Sequence, residues 1–234
     1  MVAILKRELR AYCRTPVGYA YIAVFYFFAG LYFMTMTLLA NTTDLSGVFS
    51  GMFNICIFIL PILTMGLFSE ERRNKTDQAL FTAPVGITCV VLGKFFAALS
   101  IFFIGACITL LFGGVVDIFS APSWPVIAGS FIGLILLGSA LISIGIFISS
   151  LTESQMVSAV GTFATGLFLV LSDGIDSLFS FLPLKCFLRS LSFNSHYRPF
   201  TLGIVSVSDV LFFLSVTAVF LLFTVRVIEH RRWN

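Results

Sequence analysis

VIAGSFIGLILLGSALISIGIFISSL, residues 126–151, carries no ionisable side chain from end to end. A helix needs about 20 mainly apolar residues to cross the hydrocarbon core of a bilayer, and this run exceeds that length. Inside hydrocarbon each backbone N–H and C=O must find its partner within the chain, so the run reads as a membrane-spanning helix. Its Gly129, Gly133, Gly138, Ser139 and Gly145 form small-residue pairs that let neighbouring helices approach closely, and ordinary helix packing accounts for them without a special dimer seam.

The remainder of the chain is of the same kind. Of 234 residues, 59% are apolar, 11% are charged and 28 are Phe, and the mean hydropathy is +1.05. Soluble domains carry about 45–50% apolar and about 25% charged residues. A soluble enzyme, a nucleic-acid-binding module and a disordered tail are therefore excluded. Five further apolar stretches reach or approach spanning length: 17–39, 48–68, 95–116, 156–172 and 209–228. Pro61 is expected to kink the second of the six, and 156–172 is the shortest. The predicted fold is an all-α integral membrane domain with six transmembrane helices.

Lys and Arg placement sets the orientation. With the N-terminus inside, the inner segments hold eleven of the fourteen basic residues, from Lys6, Arg7, Arg10 and Arg14 through Arg72, Arg73, Lys75 and Lys94 to Arg226, Arg231 and Arg232. Only Lys185, Arg189 and Arg198 are left outside, and the outer loops around Asp44 and Asp117 have no basic residue. Both termini are thus expected in the cytoplasm.

Residues 1–15 read as an amphipathic helix in the membrane interface. At 100° per residue, Leu5, Leu9 and Tyr12 cluster on one side, joined by Val2 and Cys13, and Lys6, Arg7, Arg10 and Arg14 occupy the other. Such a basic face suits anionic headgroups of the inner leaflet, and the same charges also enforce the topology. Residues 69–85, SEERRNKTDQALFTAPV, form the longest cytosolic loop, charged at first and apolar through Ala79, Leu80 and Phe81 until Pro84. It fits a solvated connection or a docking element for a cytosolic partner. On the outer side, residues 173–208 contain two apolar pieces, Ile175–Leu182 and Cys186–Phe193, too short to span. They read as re-entrant or interface-lying helices in which Phe179, Phe181, Phe187 and Phe193 meet lipid or an apolar cavity, as a lid or as a vestibule for cargo.

Groups for catalysis are missing. The five cysteines form no close pair, and the two histidines, His196 outside and His230 inside, are expected to lack partners for metal or acid–base work. Asp173, Asp176 and Asp209 are expected to be solvated or to cap helices. Lys94 lies near enough to the inner surface to snorkel, which leaves no ionisable group at mid-membrane and disfavours proton- or sodium-coupled transport. Gly86 to Lys94 is no phosphate loop, because its glycines are wrongly spaced and Phe95 stands where Ser or Thr must bind magnesium. The chain itself is expected to bind no cofactor and no nucleic acid, and to rely on a partner for energy.

Four regions in order along the chain resemble the ABC-2 type transporter permeases, the six-helix membrane subunits of ABC exporters. They are Thr15–Pro16–Val17–Gly18–Tyr19; Glu70–Glu71–Arg72–Arg73 with Thr76, Leu80 and Thr82–Ala83–Pro84–Val85, followed by Leu92–Gly93–Lys94–Phe95; His196–Tyr197 with Phe200 and Gly203–Ile204–Val205; and Arg226 with Arg231–Arg232–Trp233. Lys75–Thr76 and Gln78 stand where the family commonly has Gly–Thr and a Glu. The chain is similar to the small permeases of gliding-motility and antibiotic or peptide export systems.

The resemblance implies an ABC-2, type V exporter-like fold in the bacterial inner membrane. It implies that Glu70, Glu71, Arg72, Thr76, Leu80 and Pro84 lie on a coupling loop docked to a separate ATPase subunit, which holds ATP and Mg, with the Lys6, Arg7, Arg10 and Arg14 helix flanking the dock. Phe179, Phe181, Phe187, His196 and Phe200 would belong to an external gate. The implied partners are ABC ATPase subunits, a second permease chain, membrane lipids and an extracytoplasmic accessory protein. The expected function is non-catalytic: a permease passing an amphipathic, lipid-like or peptide cargo. The rival is an anchor that transmits ATPase-driven motion to an extracytoplasmic partner without passing cargo; a lipid-handling enzyme lacks a visible site.

Overall fold

The computed structural model describes residues 2–75, 86–119, 121–175 and 192–233, and these are all helix, turn or short connection. The helices are α1 (Val2–Arg14), α2 (Pro16–Phe33), α3 (Ser46–Thr64), α4 (Gly66–Arg73), α5 (Ile87–Phe119), α6 (Trp124–Leu151), α7 (Gln155–Ile175), α8 (Phe193–Thr201) and α9 (Val207–Trp233). A π-helical turn, Met34–Leu38, prolongs α2. Thr15–Pro16 separates α1 from α2, with Pro at the first helical position, where its missing N–H costs no helix bond.

Among the described residues, five helical rods are long and apolar enough to cross a membrane: Pro16–Leu38, Ser46–Arg73, Ile87–Phe119, Trp124–Leu151 and Val207–Arg231. The apolar part of α7, Gln155–Leu171, is shorter than that measure. It nevertheless reaches along the bundle, from Gln155 beside Gly66 to Val170 beside Tyr197 and Asn54. Pro61 does not end the second rod. Met65 keeps helical angles and its N–H donates to the Pro61 carbonyl at 2.9 Å, so α3 runs on into α4 and carries Glu70–Arg73 as its own extension.

The run quoted first is the axis of the bundle. In α6, as in Ser46–Arg73, 67% of the most apolar window is buried, against 28% in Pro16–Leu38 and in Val207–Arg231. Its small residues explain why. A Cβ on Gly138 would strike the Phe102 ring, and one on Gly145 would strike the Thr64 side chain. Without those atoms α5 and α3 come close to α6 at levels two turns apart, and dispersion contacts between them replace lipid contacts. Ser130 donates to the Phe200 carbonyl at 3.1 Å and Ser139 meets the Thr217 hydroxyl at 3.2 Å, so α8 and α9 are joined to the same axis.

The perimeter is apolar, unlike that of a water-soluble protein, and the interior mixes apolar side chains with hydroxyls. Ser143, Ser149, Thr64, Thr109 and Thr224 are buried, while Phe27, Leu31, Phe103, Ile104, Leu111, Phe168, Leu211 and Leu222 are on the outside. Most of the buried hydroxyls return a bond to a carbonyl of their own helix, as Thr64 does to Leu60 at 3.1 Å and Ser143 to Ala140 at 2.7 Å. An apolar perimeter of this extent is a surface made for lipid.

Overpacking the axis is expected to destabilise the bundle. Gly138→Leu should cost about 1–3 kcal/mol, whereas Gly30→Ala, where nothing lies within 4 Å of the added atom, should leave stability nearly unchanged. Thermal unfolding of the two variants in detergent checks the contrast.

Candidate functional site

Both termini lie at one end of the bundle, and there α1 lies across the start of α5. Gly93 makes this possible: a Cβ on it would sit 2.9 Å from Ile4. The face that α1 turns inward carries Leu5, Leu9 and Tyr12, as its periodicity predicts, but it also carries Glu8, which is 9% exposed. Val2 and Cys13, expected on that face, are exposed instead.

Glu8 faces Lys94. The Lys94 ammonium is 1% exposed, so it does not snorkel to the surface as expected. The reason is positional: α5 begins at Ile87, about two turns earlier, and α1 roofs the site. Lys94 Nζ lies 2.9 Å from Glu71 Oε1, 3.3 Å from Glu8 Oε1 and 2.6 Å from the Leu67 carbonyl oxygen. Its three N–H donors thereby have three acceptors. The Phe68 ring lies 5.0 Å from Nζ and adds a cation–π contact.

Arg7 closes the ring from the rim. Its Nη2 is 2.6 Å from Glu8 Oε1 and 2.7 Å from Glu71 Oε1. Two carboxylates and two cations thus alternate, and the set has no net formal charge. The hydrogen bond to Glu8 raises the Arg7 pKa above its usual value, burial opposes it, and the charges of Glu8 and Glu71 add to the rise. Tyr12 donates to the Leu63 carbonyl at 2.9 Å. Burial first and the Glu8 charge second push its hydroxyl well above the usual phenol range, so it remains a donor at any physiological pH.

A second set of contacts ties α4 and the end of α9 to the end of α6. Ser149 Oγ accepts from the N–H groups of Phe68 at 3.1 Å and Ser69 at 3.2 Å and donates to the Met65 carbonyl at 3.1 Å. Arg72 donates to the Leu151 carbonyl at 2.9 Å and pairs with Glu153 at 2.8 Å. Arg231 reaches the same carbonyl at 3.4 Å. Cations at a helix C-terminus meet the negative end of its dipole and its unpaired carbonyls. One turn and a half of α4 therefore fastens α1, α5 and α6 together, and Arg231 joins α9 to the same end of α6.

The residues singled out from sequence separate accordingly. Glu71 and Arg72 point into these contacts, and Arg7 joins them. Glu70 is exposed on α4, as are Lys6, Arg10 and Arg14 on α1. Thr76, Leu80 and Pro84 lie outside the described residues. Glu8 was the residue that reading by face overlooked. Its signal was present, since a carboxylate between apolar residues of an amphipathic helix demands a buried cation, and Lys94 is the only basic residue in the adjoining span.

At the opposite end, His196 has the partner it was expected to lack, and Asp209 stands in the first turn of α9. His196 Nδ1 is 2.6 Å from Asp209 Oδ1, its ring stacks on Phe212 with centroids 4.1 Å apart, and Asp209 is buried rather than solvated. They are brought together by the turn at Gly203, whose φ of +77° suits glycine and folds α9 back beside α8. Phe200 and Phe193 are buried, Phe200 against Gly133 and Phe193 against Phe212 and Phe213. Phe179, Phe181 and Phe187 lie outside the described residues.

A family model described as ABC-2 family transporter protein matches residues 9–169, from α1 into α7. No curated protein matches the chain significantly.

Breaking the buried ring by removing one partner leaves a charge uncompensated, which costs about 3–5 kcal/mol. Lys94→Met should lower the detergent Tm accordingly, and adding Glu8→Gln should return part of the loss. A double-mutant cycle on Tm measures the coupling between α1 and α5.

Proposed function

The chain belongs to the ABC-2 family of transporter proteins, multi-pass membrane components that associate with an ABC ATPase subunit, and on that ground we propose that it is the permease of an ABC exporter. In this reading α7 joins the five longer rods as a sixth span, and both termini face the cytoplasm of a bacterial inner membrane. ATP and Mg are held by separate ATPase subunits, and the chain contributes no catalytic group. Two permease chains assemble with them.

One observation carries the mechanism: α4, the stiff extension of α3, is held by ionic and hydrogen-bonded contacts to three other helices, α1, α5 and α6. A partner that pushes on the end of α4 moves Glu71 and Arg72, and with them α1 and α5 on one side and α6 on the other, with α9 linked through α6. In this reading ATP-driven closure selects between two arrangements of the bundle. The apolar perimeter favours an amphipathic, lipid-like or peptide cargo.

Exposed groups on α4, not the inward Glu71, are the docking contacts. Co-expressed with its ATPase subunit, the Glu70→Lys and Arg73→Glu variants should co-purify about tenfold less ATPase, the change expected for a contact of about 1.4 kcal/mol, at unchanged Tm. Wild-type co-purification by both would overturn the docking assignment. Cargo-stimulated ATPase activity of the reconstituted complex supports export, and stimulation by an extracytoplasmic protein alone supports the anchor.

A further inference from the structure

A cavity of about 340 Å³ opens at the end of the bundle away from the termini, where α8 lies against the first turns of α3 and the last turns of α7. Clefts that hold small ligands or headgroups span about 300–1,000 Å³. Helical spacing sets its walls. Asn194, Tyr197, Arg198 and Thr201 stand at i, i+3, i+4 and i+7 on α8, and Ser50, Phe53 and Asn54 stand at i, i+3 and i+4 on α3. The two walls are held in register. The Tyr197 hydroxyl donates to the Phe49 carbonyl at 3.0 Å, and its ring stacks on Phe53 with centroids 4.9 Å apart. The other side of α8 is committed to the bundle through Phe193, Phe200 and the His196–Asp209 pair.

Polar side chains on the outside of apolar helices are the informative feature. Ser50, Asn54, Asn194 and Arg198 are all exposed. Against hydrocarbon an amide without partners is costly and a guanidinium more so, so walls of this kind suit a polar occupant. Asn54 stands eight residues, about 12 Å, into α3. Its amide N–H donates to the Ser50 carbonyl at 3.4 Å, a long bond that uses one of two N–H groups. Arg198 supplies the sign of the site. A guanidinium is charged at every physiological pH, and its planar fork matches the paired oxygens of a phosphate. The amides of Asn54 and Asn194 and the Ser50 hydroxyl bring further donors to the same cavity.

Toward the middle of the bundle the same two helix faces turn apolar. Phe58 follows one turn after Asn54 on α3, and Phe163 lies two turns before Val170, which lines the cavity from α7. Their rings are 5.0 Å apart, and Phe58 is 54% exposed, so an apolar furrow leads away from the polar walls. A molecule with an oxyanion at one end and apolar chains at the other satisfies both parts. We propose that the cavity binds the headgroup of an anionic phospholipid, with Arg198 on the phosphate, Asn54, Asn194 and Ser50 around it, and the acyl chains along Phe58 and Phe163. This proposal requires membrane embedding but not an ATPase partner, so it stands or falls separately from the export reading.

The test uses the purified full chain in an uncharged detergent. Dioleoyl phosphatidylglycerol should raise Tm by about 4 °C or more near saturation. Dioleoyl glycerol, which has the chains without the phosphate, and free glycerol phosphate, which has the anion without the chains, should not. Arg198→Gln, a change at an exposed side chain, should keep the lipid-free Tm and lose most of the rise, the remainder coming from the basic face of α1. Arg198→Lys should retain more of the rise, and Asn54→Ala should reduce it. A rise that survives in full in Arg198→Gln places the lipid elsewhere. An equal rise with dioleoyl glycerol or with free glycerol phosphate removes the need for one half of the ligand. A lipid-free Tm that falls in Arg198→Gln, while phosphatidylglycerol does nothing to the wild type, marks Arg198 as satisfied within the chain. Each of these three results overturns the proposal, as does the lack of any rise in the wild type.

Discussion

Lys94 is an ammonium placed where water does not reach it, and the terminal end of the bundle is organised around that fact. A buried cation is tolerated only when carboxylates surround it, and its carboxylates come from two other helices, Glu8 on α1 and Glu71 on α4. Neither helix can leave without exposing the other to an unpaired charge. The ring therefore specifies where α1 lies and how far α4 extends, more than it adds to stability, since apolar residues of similar volume often stabilise as well as a buried pair does.

Beyond that end, close approach takes over from charge. In lipid no hydrophobic force draws helices together, and contact has to come from surfaces that fit. The glycines of α6 provide them, and Phe102 and Thr64 fill the space where side chains would have been. The two devices divide the work. Glycine contacts hold α3 and α5 to the axis, and the ionic contacts hold α1 and α4 to the ends of the rods that the axis gathers. A force applied at Arg73 consequently enters the bundle through side chains with strong partners, whereas the apolar middle offers little but shape.

The far end is built differently again. His196 and Asp209 pair across a glycine turn, Phe193, Phe212 and Phe213 pack edge to face, and Asn41, Thr42 and Thr43 line a cavity beyond the π-helical turn. No basic side chain enters the described part of this end except Arg198. The two ends of the molecule thus differ in chemistry as well as in position, ionic at one and aromatic and hydroxyl-bearing at the other.

Much of this was legible beforehand. A run such as 126–151 leaves helix as its only state in lipid, the glycines within it announced close packing, and the periodicity of residues 1–15 showed an amphipathic helix. The family resemblance rested on motifs that the later match embraces in part, over residues 9–169. What could not be read were pairings between residues far apart in the chain. Lys94 read as a snorkelling lysine because its depth depends on where α5 starts and on what roofs it, and neither is a local property. His196 read as solitary for the same reason, since only the reversal at Gly203 brings Asp209 to its ring. Composition and periodicity decided that the chain is a bundle of helices in lipid, because backbone hydrogen bonding and apolar length are satisfied residue by residue. Which charges are buried together was decided by the tertiary structure alone, because a buried charge is defined by partners that only folding supplies.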